Sequence, residues 1–230
     1  MTPERFARLK AVLDRRQPDL TVLLDNVHKP HNLAAILRSA DAAGVLQAHV
    51  AAPQGLALQR PKSAAGSLRW VELVRHASLE QAAAPLHERG FQLVAAHPDG
   101  GARDFRELDY TRPTAFVLGA ELDGLSPAAL AAADHTVVVP MHGMVESLNV
   151  SVCAALLLYE AMRQREAAGM YDTPRLDAGT RQRLLFQWAW PRIARHCREQ
   201  GLPYPPLDEA TGELRLEGEL GQAVRRRARR

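Results

Sequence analysis

Apolar positions along the chain change rhythm in a regular way. In residues 3–16, Phe6, Leu9, Val12 and Leu13 recur at helical spacing among Arg5, Arg8, Lys10, Arg15 and Arg16. That pattern predicts a basic amphipathic helix, ended by Pro18. Leu20–Asp25 is a continuous apolar run of strand length. A helix beginning near Asn32 carries Leu33, Ile36, Leu37 and Ala40 on one stripe and closes at Gly44. Further strands are predicted at Gln47–Ala52, Trp70–Val74, Phe91–Ala96, Thr114–Leu118 and Thr136–Val139. Helices are predicted near 78–89, after Ser126 and over 147–168, with loops at Asp99–Pro113 and Pro140–Glu146.

Strands and helices thus alternate from 20 to 168. This predicts an α/β fold: a mostly parallel sheet with helices on both faces. Beyond Gly169 the texture changes to a basic helical stretch at 178–200, a rigid turn at Gly201–Pro206 and five arginines in Arg225–Arg230. The expected organisation is a basic helix at 1–19, a central domain at 20–168 and a basic extension at 169–230.

The charge distribution supports that division. The chain of 230 residues carries a net charge of +3, yet residues 21–158 hold 10 Lys/Arg against 13 Asp/Glu. The flanks hold 19 basic and 13 acidic residues, and all but three of the 29 cations are arginine. Arginine forks suit phosphate. No apolar run reaches the ~20 residues needed to cross a bilayer, so no membrane partner is expected. The two cysteines, Cys153 and Cys197, read as reduced thiols of a cytoplasmic protein.

The common nucleotide motifs are absent. No GxGxxG follows the first strand and no GxxxxGK[ST] occurs, which disfavours a dinucleotide-binding dehydrogenase and a P-loop NTPase. His28 and His31 are close, but no HExxH or cysteine cluster supports a metal, and none is expected.

Three unusual segments fall at predicted strand ends, where open α/β sheets collect ligands. In residues 25–45, Asn32 reads either as a helix cap or as a ligand group, and Arg38 sits at the margin of the apolar stripe. In 116–126, Gly119 and Gly124 bracket Ala120 and Glu121 and allow close backbone approach. In 137–161, Pro140, Gly143 and Met144 form a loop, and Ser147, Leu148 and Asn149 enter an apolar helix. Ser147 is a plausible cap there.

The pattern N-x5-R at Asn32–Arg38, the strand end L-G-A-E at 118–121 and V-P-M-x-G-M-V-x-S-L-N-V-S at 139–151 resemble the three motifs of the SpoU-type (SPOUT) RNA ribose 2′-O-methyltransferases. RRQPDLTVLLDNVHKPHN at 15–32, DFRELDYTRPT, EAMRQREAAGMY and GLPYP resemble the group of that family that acts on guanosine 18 of tRNA. The resemblance spans nearly the whole chain.

It implies a sheet whose C-terminal part is threaded into a deep trefoil knot, a feature periodicity cannot reveal. It implies a homodimer and binding of S-adenosylmethionine in the knot, against Ala96, Gly119, Val139, Pro140, Met141, Met144 and Leu148. Relatives often carry Thr where this chain has Ala96. The catalytic residue carried over is Arg38, with His31, Asn32, Glu121, Ser147 and Asn149 around it. Arg8, Arg16, Arg163 and Arg165 are the implied tRNA contacts; Thr173 stands where some relatives have another arginine.

Arginine keeps its proton across the accessible pH range. Its expected role is therefore to hold phosphate and ribose and to stabilise an emerging alkoxide. The cofactor motifs alone leave open methylation of another tRNA or rRNA ribose, or a non-catalytic RNA-binding protein of the same fold.

Overall fold

The computed structural model describes residues 1–27, 29–52, 69–98, 101–120 and 123–215. They fall into two compact units: Gln17–Thr173, and Met1–Arg16 together with the described residues from Pro174 onward.

The first unit is built on a seven-stranded sheet. Its strands are β1 (Leu20–Asp25), β2 (Gln47–Ala51), β3 (Glu72–His76), β4 (Gln92–Ala96), β5 (Arg103–Asp104), β6 (Thr114–Leu118) and β7 (His135–Val138). The order is β3-β2-β1-β6-β4-β7-β5, and every described pairing is parallel. β1 and β6 are buried at every position, as central parallel strands covered on both faces must be. Side chains alternate between the faces. Val22, Leu24, Phe116 and Leu118 meet α2 (Pro30–Ala42) and α5 (Val150–Ala167) through Leu33, Ile36, Ala154 and Leu157. Leu23, Leu93, Ala95 and Val117 meet α3 (Leu79–Glu88) and α4 (Pro127–Ala132) through Leu79, Leu86 and Ala129.

The expected α/β architecture is the one found, with local differences. β5 lies inside the predicted 99–113 loop; two polar residues pairing with β7 carry no readable period. β3 begins two residues later than expected, because this edge strand is only half buried and its apolar signal is weak. Residues 53–68 of the mixed stretch and the Arg225–Arg230 run lie outside the described residues.

One buried cation ties the last turn of α5 to the sheet. The Arg165 side chain is fully buried. Its Nε donates to the Tyr110 carbonyl at 2.9 Å. Nη1 donates to Asp19 Oδ1 at 2.7 Å and to Gln17 Oε1 at 3.1 Å, and Nη2 to the carbonyls of Asp19 and Arg112 at 3.0 Å. The expectation that Arg165 contacts tRNA is corrected: its guanidinium is enclosed and already hydrogen-bonded.

A histidine pair spans β2 and β3. His49 Nδ1 lies 2.9 Å from His76 Nε2, with the rings stacked 5.2 Å apart. Burial, then the neighbouring His76 and Arg89, pulls His49 down to about 4, and burial also lowers His76. The unfolded chain therefore binds more protons than the native one between the ordinary histidine value and about 4, so stability falls as pH falls through that window. The loss is about 3 kcal/mol if His49 alone titrates. Urea unfolding at pH 7 and pH 5 reads about 2 kcal/mol of it, since the rest falls below pH 5, and His49→Gln should flatten the dependence.

In the second unit, α1 (Pro3–Asp14) is capped by Thr2, whose Oγ1 accepts from the Arg5 N–H. Phe6, Leu9 and Leu13 are buried, while Val12 is exposed and drops out of the expected stripe. The predicted helix at 178–200 is two helices, α6 (Ala178–Ala189) and α7 (Pro191–Glu199), because Pro191 lacks the N–H that would continue α6. Arg181 Nε donates to Asp14 at 2.6 Å and joins α6 to α1. A turn at Asp208–Gly212 closes over α1: Trp190 Nε1 donates to the Gly212 carbonyl at 2.9 Å, and a Cβ at Gly212 would lie 2.3 Å from the Phe6 ring. Arg16 is fully buried, its guanidinium 5.2 Å from the centre of the Trp188 ring. That corrects its assignment as a tRNA contact: it belongs to the packing of this unit.

Among the described residues, no helix is long and apolar enough to cross a membrane, and no group of three or more His, Cys, Asp or Glu could hold a metal.

Candidate active site

The C-terminal ends of β4, β6 and β7 converge with the first turns of α5 around a cavity of about 190 Å³. This is where a parallel sheet leaves its crevice. Ala96, Leu118 and Val138 are the last residues of those three strands, and all line it. So do Gly119, Val139, Met141, Ser147 and Leu148. Of the expected cofactor residues, Pro140 sits between two lining residues without lining the cavity, and Met144 points to solvent, 99% exposed. Glu121 lies outside the described residues.

The walls are shaped by backbone. Ala120 and Gly124 exchange two hydrogen bonds, at 3.0 and 2.9 Å, and close the turn after β6. A Cβ on Gly119 would stand 2.2 Å from the Gly124 carbonyl oxygen and 2.6 Å from the Leu125 nitrogen. Backbone cannot yield as a flexible side chain can, so only glycine fits there. Leu118, Leu125, Val137 and Leu157 are among its apolar lining residues, and His97, Glu146 and Ser147 are polar ones. An apolar slot with a polar fringe is the chemistry an adenosine bearing a thioether-like tail requires. The residues present fit S-adenosylmethionine.

Asn149 is not inside α5 but caps it: Oδ1 accepts from the Ser151 N–H at 2.8 Å. That is the role the sequence suggested for Ser147, which instead lies exposed in the preceding loop. Asn149 Nδ2 also donates to Asn32 Oδ1 at 3.3 Å. Asn32 in turn is not a cap. Lys29 occupies the cap position of α2, and the Asn32 side chain is buried within the first turn. The amide pair thus joins the first and third segments, and a buried amide needs such a partner.

Arg38 and His31 are exposed on α2 and do not line the cavity. Among the described residues, the Arg38 guanidinium makes no hydrogen bond or ion pair. Arg8 is exposed on α1. Arg163 is exposed on α5 with its fork on Glu160, at 2.9 and 2.7 Å.

Two features escaped the sequence reading. Cys153 lines the cavity, and burial pushes its thiol up to about 11. Its signal was the helical spacing Val150–Cys153–Leu157 on the sheet-facing side of α5. Asp25 is buried at the end of β1. Its Oδ2 accepts from the Ser126 N–H at 2.7 Å and its Oδ1 from the Asn26 side chain at 3.0 Å. It therefore anchors the far end of the turn after β6 to the start of the Arg38-bearing segment. The acidic end of an otherwise apolar run was the available clue.

Residues 19–159 match the model of the SpoU rRNA methylase family. The chain belongs to that family. Residues 163–215 match the SpoU rRNA methylase C-terminal model. The tRNA (guanosine(18)-2′-O)-methyltransferase of Escherichia coli (strain K12) is 46% identical over 221 residues, 95% of this chain and 96% of that protein. The solved SpoU-family structures include the Aquifex aeolicus TrmH/SpoU tRNA modifying enzyme, with a TM-score of 0.76 and 42% identity, covering 83% of this chain and 97% of that one. They also include the SpoU methyltransferase AviRb from Streptomyces viridochromogenes in complex with AdoMet. It has a TM-score of 0.59 and 34% identity, over 67% of this chain and 59% of that one.

Proposed function

We propose that this protein is a methyltransferase that uses S-adenosylmethionine to methylate the ribose 2′-hydroxyl of guanosine 18 in tRNA. The observation that carries this reading is the amide link between Asn32 and Asn149. It fixes the helix bearing Arg38 against the rim of a glycine-walled cavity. The near full-length match to a guanosine-18 enzyme supports the substrate. The cofactor supplies an activated methyl group on a sulfonium centre.

The protein's own residues do the rest. Gly119, Val139, Met141 and Leu148 hold the cofactor and exclude water, with Ala96 at the end of β4. Arg38 holds the substrate phosphate and ribose and stabilises charge developing on the 2′-oxygen. Ser147 and Asn149 orient the ribose beside it, Asn32 holds Asn149 in place, and His31 and Glu121 belong to the same catalytic set. Alignment of oxygen with the donated methyl accounts for much of such an acceleration. Arg8 and Arg163 engage the tRNA backbone, so the flanks at 1–19 and 169–230 form the RNA-binding part and 20–168 the chemical part.

The finer architecture belongs to the same reading. The C-terminal part of the sheet domain is threaded through a loop as a deep trefoil knot, and the enzyme works in the cytoplasm, where tRNA is found. Two copies pair through α5. Val152, Leu156 and Tyr159 are 46%, 38% and 49% exposed and recur at i, i+4 and i+7, a stripe suited to burial against a second copy. Leu156→Asp should convert a dimer to a monomer in sedimentation, while a wild-type monomer would end that part of the reading.

The deciding experiment incubates the protein with unmodified tRNA and labelled cofactor, then maps the label. Label on the ribose of guanosine 18 is expected. Absence of label, or label elsewhere, overturns the assignment.

A further inference from the structure

The unit holding α1, α6 and α7 carries most of the uncompensated cations. Among the described residues, the side chains of Arg5, Arg8, Arg183, Arg192, Arg195 and Arg198 there make no hydrogen bond, ion pair or ring contact. Among the described residues of Gln17–Thr173, Arg38, Arg103 and Arg112 share that condition. Other exposed arginines are neutralised: Arg106 by Asp104, Arg163 by Glu160, Arg215 by Asp208.

Half of the six stand on one helix of nine residues. Arg192, Arg195 and Arg198 recur every third position of α7 and are all exposed. Like charges at that spacing repel and weaken a helix, so the row costs stability in the free protein. The opposite face of α7 is already committed, since Ala194 and Cys197 are buried. No large apolar side chain of α7 is exposed. An interfacial membrane helix needs such a face, so a lipid surface is a poor partner. A polyanion contacted only through its charges is a good one. The three arginine positions span about 9 Å of helix axis, comparable to a short run of phosphates on one strand.

We propose that the Arg192–Arg195–Arg198 row of α7 is a phosphate-docking surface for tRNA, separate from Arg8 and Arg163. This rests on the reading of the protein as a tRNA-modifying enzyme and adds a contact surface to it. Each arginine on a phosphate releases counterions, so it contributes to the salt dependence of binding and not to base readout.

The test measures tRNA affinity of the full chain against salt concentration. The triple variant Arg192→Gln, Arg195→Gln, Arg198→Gln should lower the slope of log K against log salt by about 2–3. Arg195→Gln alone should lower it by about 1. The triple lysine variant should keep most of the slope, because charge and not fork geometry is used. Arg75→Gln with Arg89→Gln, on the other unit, is the charge-removal control and should shift it by less than about 0.5. A triple-glutamine slope no lower than that control overturns the proposal, whether or not the protein also binds phosphatidylserine vesicles. Wild-type methylation of guanosine 18 with an unchanged triple-variant slope sinks this surface alone. Slope loss without any methylation sinks the enzymatic assignment and leaves the surface standing.

Discussion

Arg38→Ala should cut methyl transfer to tRNA by about 10²–10³-fold, the usual effect of removing one preorganised stabiliser of transition-state charge. The side chain is exposed and has no hydrogen-bond or ion-pair partner among the described residues. Its loss should therefore leave the unfolding free energy within about 0.5 kcal/mol. It is outside the cavity lining, so affinity for the cofactor in calorimetry should be retained. The loss must then appear in the step that involves RNA. Arg38→Lys separates charge from geometry: lysine keeps the charge but not the planar fork, and partial recovery is expected. Full recovery would make the fork irrelevant, and an alanine variant with ordinary turnover would remove Arg38 from the mechanism.

The largest stability effect should come from Arg165→Ala, at about 3–5 kcal/mol, because it leaves partners of a buried cation uncompensated. Asp19 would keep a carboxylate without its ion pair, and the carbonyls of Asp19, Tyr110 and Arg112 would lose their donor. Against a typical total stability of about 5–15 kcal/mol, such a loss should be plain in urea unfolding. Arg163→Ala is the contrast: its pair with Glu160 is largely exposed on the arginine side, and about 0–1 kcal/mol is expected. If Arg165→Ala cost less than about 1 kcal/mol and weakened tRNA binding instead, the RNA role first assigned to it would return.

The two arginines lie two residues apart in one basic stretch, and their fates differ completely. The local pattern treats them alike, since both are cations near the end of an amphipathic helix. What separates them is the angular position of each on α5. The acceptors that receive Arg165 come from 55 and 146 residues away. The same holds for Asn32, which resembles a helix cap until its partner, 117 residues further on, is known. Asn149 is the reverse case: placed inside the helix by a hydrophobic pattern that runs through it, it ends that helix by capping it.

By itself, the sequence determined the α/β class, the limits of β1 and β6 and the stripe of α2, because burial on one or two faces imposes a period that a single segment displays. It also carried the family resemblance, because three ordered motif segments can be read directly from the residues. Tertiary structure alone decided which polar groups are exposed and which hold the molecule together. It placed Arg16 and Arg165 inside, Met144 in solvent, and Asp25 as the anchor of the turn after β6. A hydrogen bond between distant segments depends on where two chains of neighbours are packed, and that proximity leaves no periodic trace in either segment.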